Sequence, residues 1–335
     1  MKELNKIQRA AYEMIQSDAR FIYTLTVIHQ NEKSINSNYF MMCQPYLGIF
    51  ADGAEQWGRK VGLPSPRFTE EEKFYYSSLR KTHKLYELKY SEYKSTLIDK
   101  LNQSDEFFRS LRSPLEKIIG YYNVGTDICE GEFCGNTILC ALYSPVEIFN
   151  KDIGPWMKNI SIVAGKLIGF FGGTDYKPYR YDDSIQIKYK DYHFYRDCPI
   201  NDKTDLGFLL FSTLCSVNYA IKFIDKFFLD EIPQKFKIAY LQYYYLCEFI
   251  PELNAVNGTN LFINDGLRNS GFRNCLAHYG LGQYLSENEL YSNDLLKGLT
   301  KKAFNLDYYE AKKLLYSFLD ELTDQIKILI KLIFI

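Results

Sequence analysis

Arg273, Asn274 and His278 have the residue types and spacing of a reaction site. They lie in residues 265–282, which read DGLRNSGFRNCLAHYGLG. An Arg guanidinium is planar, permanently charged and matched to the oxygens of a phosphate. A His imidazole can take or give a proton near neutral pH. An Asn amide can orient either neighbour or bond an anion. The set can therefore move a proton beside a crowded anionic centre. The pattern predicts a helix. Asn264 or Asp265 fits its N-cap, and Gly280 and Gly282 stand where a left-handed C-cap residue belongs. On that helix Asn274 and His278, four apart, share a face. Arg273 and His278, five apart, point about 140° from one another, so the Arg must reach round or the site must lie between two chains. Arg268 is available as a second phosphate contact.

Arg273-Asn274-Cys275-Leu276-Ala277-His278 resembles the Arg-Asn-x-x-Ala-His form of the HEPN superfamily. The resemblance covers the C-terminal part only. It implies a helical domain with the motif on the third of four main helices. It also implies a homodimer in which two motifs build one composite site for cutting RNA without a metal or other cofactor. The chemistry is coherent. Attack by a 2′-OH on the adjacent phosphorus needs a base, an acid and positive charge for the phosphoryl oxygens. One His per chain supplies one proton carrier, and a two-fold dimer supplies two. The usual biology of such proteins is a toxin with an antitoxin or other regulatory partner, or defence against phage. Other members are non-catalytic nucleotide-binding or dimerisation modules. Some carry a Tyr two residues after the His, where this chain has Gly280, with Tyr279 one position early. Some use an acidic residue from elsewhere, for which Glu248, Glu252 and Asp265 are available.

The elements that must position the motif read as helices. Residues 201–335 divide into a helix capped by Thr204 and reaching Phe228, a second from Pro233 to about Leu253, and the motif helix. A shorter piece at 295–304 and a last long helix capped at Asp307–Glu310 follow. This is a helical bundle. Residues 1–200 read as a helical region of undetermined role, entered by an amphipathic helix over 3–29. Thr69 with Glu72 is a capping box opening a long helix to about Leu101. Its mixed charges, His83 among them, predict a solvated face. Residues 184–190 alternate apolar and polar and predict a strand, in a hairpin with 192–195. The fold class is thus mainly α with one small β element.

Composition bounds the rest. Of 335 residues 47% are hydrophobic, enough for a sizeable core, and the 29 Tyr and 24 Phe make it aromatic. The net charge of −1 argues against a module that grips nucleic acid through many phosphates. An RNA contact must then be local. The eight scattered Cys fit reduced, buried thiols in a cytoplasmic protein. Cys129, Cys134 and Cys140 lack the paired spacing of a zinc site. Ala164-Gly165-Lys166-Leu167 lacks the upstream Gly and the Ser/Thr of a phosphate-binding loop. No apolar run reaches the length of a membrane span, so no membrane partner is expected.

Overall fold

The computed structural model describes residues 4–31, 38–120, 122–144, 149, 153–172, 176–280 and 284–333. Helices dominate, and a three-stranded sheet is the main β element. The N-terminal half contains α1 (Lys6–Asn31), α2 (Gln44–Val61), α3 (Glu70–Thr82), α4 (Tyr90–Arg109) and α5 (Pro114–Ile119). Strands β1 (Asn123–Cys129) and β2 (Glu132–Asn136), helices α6 (Thr137–Tyr143) and α7 (Ile153–Phe171), and strand β3 (Ile187–His193) complete it. Then come α8 (Asp205–Asn218), a π-helical segment (Tyr219–Ile224), α9 (Asp225–Phe227), α10 (Pro233–Asn257), α11 (Ser270–His278), α12 (Leu295–Phe304) and α13 (Tyr308–Leu329).

The helix ends follow local chemistry. Thr69 and Glu72 form the reciprocal capping box, and Asp307 and Glu310 form another. Thr204 accepts from the Gly207 N–H at 3.2 Å, and Pro233 opens α10. The long helix expected after Thr69 is instead two. The His83 ring donates through Nδ1 to the Arg80 carbonyl, closing α3. A 3-10 turn at Leu85–Glu87 then tucks Tyr86 into the core against Phe249 and Tyr93, ring centroids 5.3 Å from each. Burying that ring wins over continuing the helix. It also withdraws His83 from the solvated face the charge pattern suggests.

The expected strand exists but pairs elsewhere. β3 runs unbroken through Lys190 to His193 and joins β1 antiparallel, Asn123 opposite His193 and Cys129 opposite Ile187. The hairpin of the sheet is β1–β2, turned by Glu130 and Gly131, both with positive φ as a tight two-residue turn requires. Cys129 and Cys134 lie on these two strands, and Cys140 lies in α6.

One continuous hydrophobic core runs from α1 to the end of α13. At its centre is the helical stretch Asp205–Phe227. Contrary to the sequence reading, this stretch is long and apolar enough to cross a membrane. Nearly all of its most apolar window is buried inside the molecule, the position of a core helix. Helices α10 and α13 pack beside it, α11 packs on α10 and α2, and α12 packs on α13, α11 and α1. The loop near residue 200, between β3 and α8, is tied to the C-terminal end by the Ile200–Leu332 bridge.

Candidate functional site

The tyrosines of α10 set the entry to α11. The Tyr243 hydroxyl donates to the Asn264 carbonyl at 2.8 Å and accepts from Leu267 N at 3.1 Å. The Tyr240 hydroxyl does the same one turn earlier, donating to Leu267 O at 2.9 Å and accepting from Asn269 N at 3.0 Å. The loop is thereby pinned in a turn, Arg268 N donating to the Asp265 carbonyl at 2.8 Å, and the helix does not begin at Asn264 or Asp265. Asn269 becomes the N-cap, accepting from Phe272 N at 2.9 Å, and α11 starts at Ser270. At the other end Tyr279 itself takes the left-handed C-cap conformation (φ 50°), followed by Gly280 (φ 72°); Gly282 lies outside the described residues. A non-Gly residue there costs about 1–2 kcal/mol. Hydroxyl bonding offsets it: Tyr279 donates to the Asp18 carboxylate, whose Oδ2 also accepts from Lys237 Nζ at 2.7 Å. Asp18 Oδ1 accepts from Gln234 at 2.7 Å. Tyr279, Asp18 and Lys237 are buried, and the Lys237 ammonium stands 4.3 Å from the Tyr279 ring centre. Tyr279 thus sits in a core network tying α11 to α1 and α10, not on an open surface.

His278, at the last turn of α11, is half-buried. Its Nε2 accepts from Arg80 Nη2 of α3 at 3.2 Å. A nitrogen that accepts from a guanidinium carries no proton, so the ring is the neutral Nδ1–H tautomer. Burial lowers its pKa, and the Arg80, Arg273 and Lys237 charges lower it further against the opposing Asp52 carboxylate. Arg80 is held from its other side by an ion pair with Asp52 of α2, whose carboxylate also accepts from Gln56 at 2.7 Å.

Two close approaches bring these helices together. A Cβ on Gly48 would lie 2.4 Å from the Arg80 backbone nitrogen. One on Gly53 would lie 2.6 Å from the Tyr279 ring and 3.1 Å from the Ala277 carbonyl oxygen. Helix α2 is therefore thin on both sides, and α3 and α11 meet across it.

Arg273 lies with its Cζ 5.0 Å from the Tyr244 ring centre and 5.5 Å from that of Tyr245. Its Nη1 donates to the Asn274 side-chain oxygen at 2.9 Å, so Asn274 orients the Arg and not the His. Its Nε, buried, has no hydrogen-bond partner among the described residues. Tyr245 packs edge-on against His83, 5.8 Å between centroids. Burial, first among several causes, drives the His83 pKa down to about 3. The Arg268 Cζ likewise lies 5.0 Å from the Tyr244 ring centre, and Arg268 is ion-paired with Glu248.

The structure thus gathers Arg273, Asn274 and Arg268 at Tyr244 and joins His278 to Arg80, while Tyr279 is buried. Sequence reasoning missed Arg80, His83 and Asp52. Arg80 sits in a run of ordinary helix-surface charges, and no local signal marks it; only packing brings it to His278. Among the described residues no group of three or more His, Cys, Asp or Glu side chains could hold a metal ion. No family model, curated protein or solved structure matches the chain.

Proposed function

We propose that the chain is an endoribonuclease that cleaves RNA without a metal, by attack of the 2′-OH on the adjacent phosphorus. The observation that carries the reading is His278. Its imidazole is neutral, with an unprotonated Nε2 beside a guanidinium and with Arg273 turned by Asn274 into the same region. Such a His accepts the 2′-OH proton as the 2′-oxygen bonds to phosphorus. Arg273 balances the charge that builds on the phosphoryl oxygens. The 5′-oxygen leaves with a proton, giving a 2′,3′-cyclic phosphate and a 5′-hydroxyl. The acid for that step is the His278 of a second copy in a two-fold homodimer, which must enter the reaction protonated while the first copy's ring is neutral, the two exchanging states at each turnover. The resemblance to HEPN proteins supports the same chemistry. It implies a biology of toxin–antitoxin pairs or phage defence, where a regulatory protein would be the partner. The near-neutral charge suits a substrate met at few phosphates.

One observation favours a second reading, a non-catalytic binding module. The lone pair that would take the proton is already occupied by Arg80. Incubation of purified protein with total RNA in EDTA separates the two. Cleavage to cyclic-phosphate ends that is lost in His278→Ala supports the nuclease. Intact RNA with a folded wild-type protein favours the module.

A further inference from the structure

The occupied lone pair leads to an assignment outside the motif. We propose that Arg80, with Arg273, forms an anion site for one phosphodiester group, and that Arg80 exchanges His278 for the phosphate when RNA binds. This deepens the nuclease reading and rests on it for the identity of the ligand.

Arg80 has two partners of different strength. Its Nη1 is ion-paired with Asp52, which fixes the guanidinium in place, while its Nη2 is spent on a neutral imidazole nitrogen. A phosphate oxygen is a far better acceptor for that second N–H, because the bond is then between opposite charges. Arg273 is the complementary half. Asn274 takes one Nη1 bond, two tyrosine rings support the guanidinium, and the buried Nε–H has no hydrogen-bond partner among the described residues. An unpaired buried donor is costly unless a ligand completes it. The two cations come from α3 and α11, and both act on the His278 and His83 rings, so they share one locality. The groups that face His278 from the packed elements are Arg80 of α3, Asp52 of α2, Arg273 of α11 and Lys237 of α10. Three are cations, and the one anion is already paired with Arg80.

The exchange would do two things. It would free Nε2 at the moment a 2′-OH is present to use it. It would also bring a phosphate charge beside the ring, making the imidazole more basic than in the empty site. Arg80 therefore caps the base when no substrate is bound and holds the phosphate when one is.

The test follows the imidazole C–H signals of His278 by NMR against pH, in wild type and Arg80→Gln, with and without inorganic sulfate as a fixed-charge probe. His278→Gln assigns the signal. The proposal expects the His278 titration to move up in Arg80→Gln without sulfate. It also expects sulfate to move the titration up in wild type and to have little effect in the variant. An unchanged titration in folded Arg80→Gln, or an equal sulfate response in both proteins, overturns it. Arg80→Lys, which keeps the charge but not the fork, should retain only part of the sulfate response. RNA cleavage is measured on the same samples, where Arg80→Ala should lose about 10²–10³-fold in kcat. A wild type that responds to sulfate through Arg80 but leaves RNA intact refutes the nuclease reading and upholds the anion site. RNA cut as fast by Arg80→Ala as by wild type upholds the nuclease reading and refutes the anion site.

Discussion

Removing the ammonium of Lys237 tests whether the motif helix is anchored by a buried charge network. Lys237→Met keeps most of the side-chain volume. It leaves the Asp18 carboxylate fully buried with only Gln234 and the Tyr279 hydroxyl as donors. Breaking a buried ion pair by deleting one partner costs about 3–5 kcal/mol. Tyr279→Phe keeps the ring that packs on Gly53 and deletes one hydrogen bond to a charged acceptor, worth about 1.5–3 kcal/mol. The double variant Asp18→Asn with Lys237→Met removes both charges, and its loss should fall well below the sum of the single losses, since the residues contact directly. Urea unfolding followed by circular dichroism gives the ranking from midpoint shifts at constant slope. A Lys237→Met protein within about 0.5 kcal/mol of wild type, the range of ordinary surface substitutions, would refute the network as an anchor. So would simple additivity in the double variant.

His278→Ala and Arg273→Ala should each lower the RNA cleavage rate by about 10²–10⁴-fold with little change in melting temperature; a large fall in melting temperature with normal activity of the folded fraction would make them structural. Arg273→Lys should recover part of the rate, and Asn274→Ala should be milder than Arg273→Ala, because Asn274 acts by orienting the Arg. Light scattering at micromolar concentration should give a dimer, and a strict monomer would remove the second His. The depressed His83 pKa fixes a sign for stability: the unfolded chain, titrating near pH 6.5, binds more protons than the fold down to about pH 3, so stability falls as pH drops through that window. His83→Asn should flatten the fall in melting temperature between pH 6.5 and 4, and an unchanged slope would place the acid sensitivity elsewhere.

What the sequence disclosed was mostly local chemistry. Thr69 with Glu72, Asp307 with Glu310, and Thr204 are helix starts readable from three or four residues, and all three form as read. The alternation at residues 184–190 marked a strand. Its partner β1, NVGTDIC, is buried almost throughout and so shows no alternation to find. The start of α11 was misplaced because the hydroxyls that pin the preceding loop in its turn belong to Tyr240 and Tyr243 on another helix. His83 looked solvated because its neighbours are charged, and only the turn that buries Tyr86 takes it inward. Within the site, Arg273, Asn274 and His278 were legible because one helix carries them. Arg80 and Asp52 were not, since their meeting with His278 is a property of how α2 separates α3 from α11.

That separation has a genetic consequence. Helix α2 carries Asp52, the ion-pair partner of Arg80, and the bare faces of Gly48 and Gly53 set how closely α3 on one side and α11 on the other approach it. A single added methyl at Gly48 meets backbone, which cannot step aside, and at Gly53 it meets the Tyr279 ring. Alleles selected for loss of cleavage should therefore recur at these two codons even in proteins that still accumulate. Suppressors would be sought not in the motif but in smaller side chains at the opposing faces of α3 and α11.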